Sequence, residues 1–141
     1  MRHALFITAF ILLALPVAGC VAQTAPPHGL AGSEWRITAI DGQTPAAPDR
    51  ARMALQKDRL SANVGCNSMS GPWRVEKSRL IAGPLMQTKM FCEGPIGEQE
   101  QAASALLVAA PTLELDGARL TLRSSGHSLT LERIDATGKD R

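Results

Sequence analysis

The stretch "TLELDGARLTLRSSGHSLTLERI", residues 112–134, constrains the fold more than any other part of the chain. Leucine recurs at alternate positions, as Leu113 and Leu115, Leu120 and Leu122, then Leu129 and Leu131, with Thr, Glu and Arg between them. Period two is the repeat of a β-strand with one buried face and one wet face. The breaks fall at Asp116-Gly117 and Ser124-Ser125-Gly126, both turn sequences, so the segment predicts a three-strand antiparallel meander. Such strands need one continuous buried side, which a strongly curved sheet or a small barrel supplies.

The same device runs through the preceding residues. "SEWRITAIDGQ" alternates Trp35 and Ile37, shifts to Ile40, and breaks at Asp41-Gly42. A Pro-containing loop, "TPAAPDR", follows. Met53 and Leu55, then Leu60, Ala62 and Val64, predict two short strands joined at Lys57-Asp58. Trp73 and Val75 alternate, Glu76-Lys77-Ser78 turns, and Leu80 resumes. One segment departs from this pattern. "EQEQAASALLVAA", residues 98–110, lies between Gly97 and Pro111, and its Ala102, Ala103, Leu106, Leu107 and Ala110 fall at helical spacing. Glu98 and Glu100 are expected in the first turn, at the positive end of the helix dipole. The expected fold class is α+β, a mostly antiparallel curved or small barrel-like sheet with one helix packed on it. One domain is expected, over residues 30–134, because 141 residues rarely make two.

The first nineteen residues read as a leader. "MRHALFITAFILLALPVAGC" has a charged start at Arg2, an apolar run from Ala4 to Leu15 and a small-residue exit, the plan of a secretory signal peptide. "LPVAGC" resembles the lipobox of bacterial lipoproteins. That resemblance implies cleavage before Cys20, which becomes the lipid-bearing N-terminus and anchors the protein to a membrane. Val21, rather than aspartate, follows the cysteine, so the outer membrane, facing the periplasm, is the expected location. "VAQTAPPHG" reads as an extended tether completing residues 20–29, with a reach of about 25–30 Å. Residues 135–141 read as a frayed tail.

Without its leader the chain keeps fourteen basic residues against thirteen acidic ones. Arg50, Arg52, Lys57 and Arg59 are interrupted by Asp49 and Asp58, so no basic footprint for nucleic acid forms. The expected partners are the membrane, through the N-terminal lipid, and an envelope protein or ligand. A monomer without cofactor or metal is expected.

Cys66 and Cys92 remain once Cys20 is assigned to lipid. An even pair delivered to an oxidising compartment is most economically a disulfide. Gly65 and Asn67 flank Cys66 as turn residues able to aim its sulfur inward. Three other readings compete. A redox enzyme favours C-x-x-C, a spacing absent here. A metal site could draw on Cys66, Cys92 and His127, and a thiol- or metal-dependent enzyme would use the same three. A serine hydrolase could recruit Ser68 or Ser70, but the chain has no G-x-S-x-G elbow. No catalytic residue is assigned. In "GPLMQTKMFCEGP", Met86, Met90 and Phe91 are either filler beneath the disulfide or, with Trp73, a surface patch for a hydrophobic partner.

Taken together, "WRITAIDG", "GCNSMSGPW" and "GPLMQTKMFC" resemble the META-domain family, which includes the heat-inducible HslJ-type bacterial lipoproteins. The family pattern falls on Trp35, Gly42, Gly65, Cys66, Asn67, Gly71, Thr88, Met90 and Cys92. The resemblance implies a compact α+β domain in the envelope and an association with stress and novobiocin tolerance. It implies no established activity.

Overall fold

The computed structural model describes residues 29–124 and 126–135. The leader, Cys20, the tether up to His28 and the tail beyond Asp135 lie outside them. In chain order the elements are β1 (Ser33–Ile40), β2 (Arg52–Leu55), β3 (Arg59–Asn63), β4 (Ser68–Glu76), β5 (Arg79–Ala82), β6 (Met86–Gln87), α1 (Gly94–Val108), β7 (Thr112–Asp116), β8 (Arg119–Ser124) and β9 (His127–Ile134). No helix among the described residues is long and apolar enough to cross a membrane.

Tight turns set the strand order. Asp41 and Gly42 both take positive φ and close the Ile40–Gln43 bridge. Lys77 and Ser78 do the same between β4 and β5, where Glu76 pairs with Arg79. Two positive-φ residues make the turn whose twist matches a hairpin. Sequential pairing joins β1 to β5 and β7 to β9, and the non-local pairs β1–β9 and β5–β7 complete a ring of antiparallel order β3-β2-β1-β9-β8-β7-β5-β4, with β4 paired back onto β3. The sheet is therefore a closed eight-stranded barrel, with β6 added to β4. The closure is narrowest between β5 and β7, where Arg79 faces Thr112 and the Leu80 and Leu113 amides donate to Pro111 O and Ser78 O. A register shift between Ile37 and Ala39 on β1 explains why Ile40, and not Ala39, turns inward.

The alternating residues fill the barrel as expected. Trp35, Ile37, Met53, Leu55, Leu60, Leu80, Leu120, Leu122, Leu129 and Leu131 are all buried. The Trp35 indole donates to Ser33 Oγ at 2.6 Å, and the Arg133 guanidinium stands 4.9 Å from its ring. Trp73 is buried too, its Nε1 donating to Gln56 O at 2.8 Å, so it belongs to the core and not to a surface patch. Helix α1 packs against β9, β5, β1 and β8, adding Ala103, Leu106 and Leu107 to the interior.

The helix begins earlier than its composition suggests. Pro95 occupies its first turn, which Pro tolerates because the amides there have no helical partner. Glu98 and Glu100 consequently fall outside the first turn, which holds no acidic residue. Gly97 does not stop the helix. A Cβ there would overlap the Cys92 carbonyl oxygen, so glycine lets α1 pass close to the cysteine loop.

Gly71 serves a similar close approach on β4, since a Cβ would overlap the Pro84 carbonyl oxygen and meet Leu85 Cδ2 at 3.0 Å. Gly71→Ala is expected to destabilise the domain by about 2–3 kcal/mol through this overlap. The effect is read as a lower urea midpoint with an unchanged denaturant slope.

Candidate functional site

The residues of "GCN" meet those of "QTKMFC" at one rim of the barrel. Gly65, at φ +144°, makes the turn out of β3, and its amide donates to Asn63 Oδ1 at 2.7 Å. Cys66 then reaches Cys92 in a disulfide whose Cα atoms are 6.3 Å apart, an ordinary span for such a bridge.

Asn67 is the centre of the arrangement. Its Oδ1 accepts from Thr88 Oγ1 and from the Met90 amide, both at 2.8 Å. Its Nδ2 donates to Glu100 Oε1 at 2.7 Å and to Met90 O at 3.0 Å, and lies 3.1 Å from Cys92 Sγ. The Met90 amide can only donate, so it fixes which end of the Asn67 side chain is oxygen. The Asn67 backbone amide completes the ring by donating to Glu100 Oε2 at 2.7 Å.

Glu100 is 7% exposed. It accepts from the Asn67 backbone and side-chain amides and from Gln87 Nε2 at 3.0 Å. Its neighbour Gln99, also buried, receives the Ala46 amide at 2.8 Å and donates to Thr44 O at 3.1 Å. The second turn of α1 therefore clasps two loops through side chains that no motif marks. Their position was detectable: Gln99 and Glu100 precede Ala103, Leu106 and Leu107 by three to eight residues, on the same helical stripe.

The cysteine loop carries apolar side chains outward. Met86 is 70%, Met90 58% and Phe91 87% exposed, so they do not fill space beneath the disulfide. Three of the four large exposed hydrophobic side chains among the described residues fall in this six-residue stretch. The chain enters the barrel elsewhere. Gly32 N donates to Leu55 O, and Ser33, Leu55, Leu60 and Gly71 follow one another across the strands. Asn67 precedes Gly71 by four residues, about 13 Å along the strand direction.

His127 joins neither cysteine. Its Nδ1 is 2.8 Å from Asp41 Oδ2, and Asp41 Oδ1 accepts from the Ser128 amide at 2.7 Å. Among the described residues, the group of metal-ligating side chains at the cysteines is Cys66, Cys92 and Glu100, so the trio with His127 is not assembled. Trp35, in the core, and Gly42, in the first turn, are not among the hydrogen-bond partners of Asn67. Burial raises the Asp41 pKa, but the His127 hydrogen bond, the Ser128 amide and the His127 charge together hold it below its ordinary value. A lowered carboxyl pKa contributes stability that is present above the unfolded value, near 3.9, and is lost as pH falls through the folded value. Both side chains are 37% exposed, so Asp41→Asn is expected to lose no more than about 1 kcal/mol at neutral pH. Urea melts from pH 7 to pH 2.5 should show that difference hold down to about pH 4 and shrink progressively below it.

Two proteins solved by NMR share this architecture. One matches with a TM-score of 0.69 at 22% identity, over 78% of this chain and 96% of its own. The other, from Burkholderia xenovorans, matches with a TM-score of 0.60 at 24% identity, over 75% of this chain and 84% of its own. No curated protein matches the sequence. The META domain model matches residues 28–136, a span that takes in the barrel, the helix and the whole Asn67 arrangement, and the chain belongs to the META domain family.

Proposed function

We propose that the protein is an HslJ-type lipoprotein held at the outer membrane by lipid on Cys20. Its META domain faces the periplasm and serves as a non-catalytic docking module in envelope stress and antibiotic tolerance. The observation that carries this reading is the outward apolar stretch Met86–Phe91 on a loop fixed by a disulfide and by Asn67. Exposed apolar side chains on a pre-ordered loop suit capture of a protein partner, because little ordering entropy is lost on binding. The polar groups around them support the same reading, since Asn67, Thr88 and Glu100 bond to one another.

Metabolic labelling with palmitate should mark the full chain, and Cys20→Ala should remove the label. A photo-crosslinker at position 91 in live cells should give a discrete envelope-protein adduct that Met86→Ser with Met90→Ser removes without changing the fold. An unlabelled parent chain would end the lipoprotein reading. A parent with no adduct above that of the double variant would end the docking reading.

A further inference from the structure

The disulfide locks together two side chains that, once freed, complete a set of metal donors. The Sγ atoms of Cys66 and Cys92 and a carboxylate oxygen of Glu100 all lie within 4.8 Å of one another. We propose that reduction of this disulfide opens a binding site for a zinc-type divalent cation. Cys66, Cys92 and Glu100 are its protein ligands, and water takes the fourth position. A dithiol reductant supplies two electrons and two protons, becomes a disulfide itself and leaves two thiols on the protein. The cation then displaces one proton from each thiol to solvent as two sulfur–metal bonds form.

The dimensions agree. Zinc–sulfur bonds of about 2.3 Å and zinc–oxygen bonds of about 2.0–2.2 Å put tetrahedral ligand atoms roughly 3.5–3.8 Å apart. The existing cluster spans no more than 4.8 Å, so the two sulfurs must part and the sulfur–oxygen spacing must close by little more than about 1 Å. The surroundings agree as well. The three hydrogen bonds described for Glu100 all come from neutral amides. Two thiolates beside a nearly buried carboxylate repel one another unless a cation joins them. Gln87 and the Asn67 backbone amide hold the Glu100 carboxylate in place, as outer partners hold metal ligands. Asn67 Nδ2, 3.1 Å from Cys92 Sγ, is placed to donate to a thiolate there. Cys66 and Cys92 are only partly buried, which gives the cation and its water a route in.

The test uses Co²⁺ as a spectroscopic substitute for zinc on the full chain in detergent. A phosphine, oxidised to its oxide, replaces the dithiol because dithiols chelate cobalt. The reduced chain should bind one equivalent, with thiolate-to-cobalt absorption in the near ultraviolet and the visible bands of tetrahedral cobalt. The oxidised chain should show neither. Glu100→Gln should weaken binding at least tenfold while keeping the two-thiolate band, and Cys66→Ser and Cys92→Ser should each halve that band. If reduction unfolds the chain, cobalt should restore its circular dichroism. A reduced chain without the absorption, whether folded or unfolded, would overturn the proposal. So would a band unaffected by either serine variant, or a folded Glu100→Gln protein that binds as tightly as the parent. Should Glu100→Gln fail to fold even with cobalt, the two serine variants decide the outcome alone.

Discussion

Asn67→Ala is expected to destabilise the domain by about 2–4 kcal/mol, from four lost hydrogen bonds of which one goes to a carboxylate. The side chain removed is more than filler. Its loss takes two acceptor bonds from Thr88 and Met90 and two donor bonds to Glu100 and Met90. Each buried group left without a partner costs about 1–3 kcal/mol, although Glu100 keeps the backbone amide of residue 67 and Gln87. Water entering the space offsets part of the sum, which keeps the expectation below a simple total. Asn67→Asp sharpens the test. It preserves shape and still accepts from Thr88 and Met90, but it cannot donate to Glu100 and sets a second carboxyl beside it. It should therefore be no milder than alanine at neutral pH. Urea denaturation of both variants measures this, and a loss below about 1 kcal/mol for Asn67→Ala would mean that the ring of bonds is incidental.

Removing the disulfide ranks next. Cys66→Ser with Cys92→Ser is expected to lower stability by roughly 3.5 kcal/mol, from the entropy restored to an unfolded chain no longer closed across a 26-residue separation. Domains of this size hold about 5–15 kcal/mol in total, so the variant should be folded at 25 °C but melt well below the parent. The loss should arise from the unfolded state. The Asn67 bonds to Thr88, Met90 and Glu100 do not involve sulfur, so they should persist in the double variant, and the Met90 amide should stay protected from hydrogen exchange. Rapid exchange at Met90 in an otherwise folded variant would show that the disulfide, and not Asn67, orders the loop.

Much of the barrel was legible in the sequence because its strands use the simplest code a chain has. Leu113 to Leu131 alternate, Asp41-Gly42 is a pair that tolerates positive φ, and Lys77-Ser78 is a polar break between apolar runs, so strands and hairpins follow locally. Ring closure was harder to read. The pairing of β3 with β4 is a hairpin, but β5 with β7 is held by a single registered residue pair across the intervening helix, and β6 is two residues long. Neither leaves a period to count. The helix start was misplaced because Gly97 resembles a boundary, whereas its missing Cβ makes room for the Cys92 carbonyl.

The site divided in the same way. Cys66, Asn67, Thr88 and Cys92 were marked by their motif and meet in space. Glu100 was expected in the first turn of the helix, because carboxylates suit the positive end of its dipole, but it stands in the second turn and is buried. Its burial depends on Asn67 and Gln87, thirty-three and thirteen residues away, and only tertiary structure brings them together. The Met86–Phe91 stretch illustrates the converse. Residue type favours burial, but the backbone there is committed to Asn67 and Ser68, and the side chains are left pointing outward.

Cys66 and Cys92 staple the loop proposed for docking, and as a disulfide they are not reactive thiols in the resting protein. The most direct measurement is non-reducing peptide mapping by mass spectrometry of the full chain recovered from cell envelopes with free thiols blocked at lysis. Quantitative recovery of the two cysteines in one crosslinked peptide pair is the expected result. Recovery of both as blocked, free thiols would contradict it.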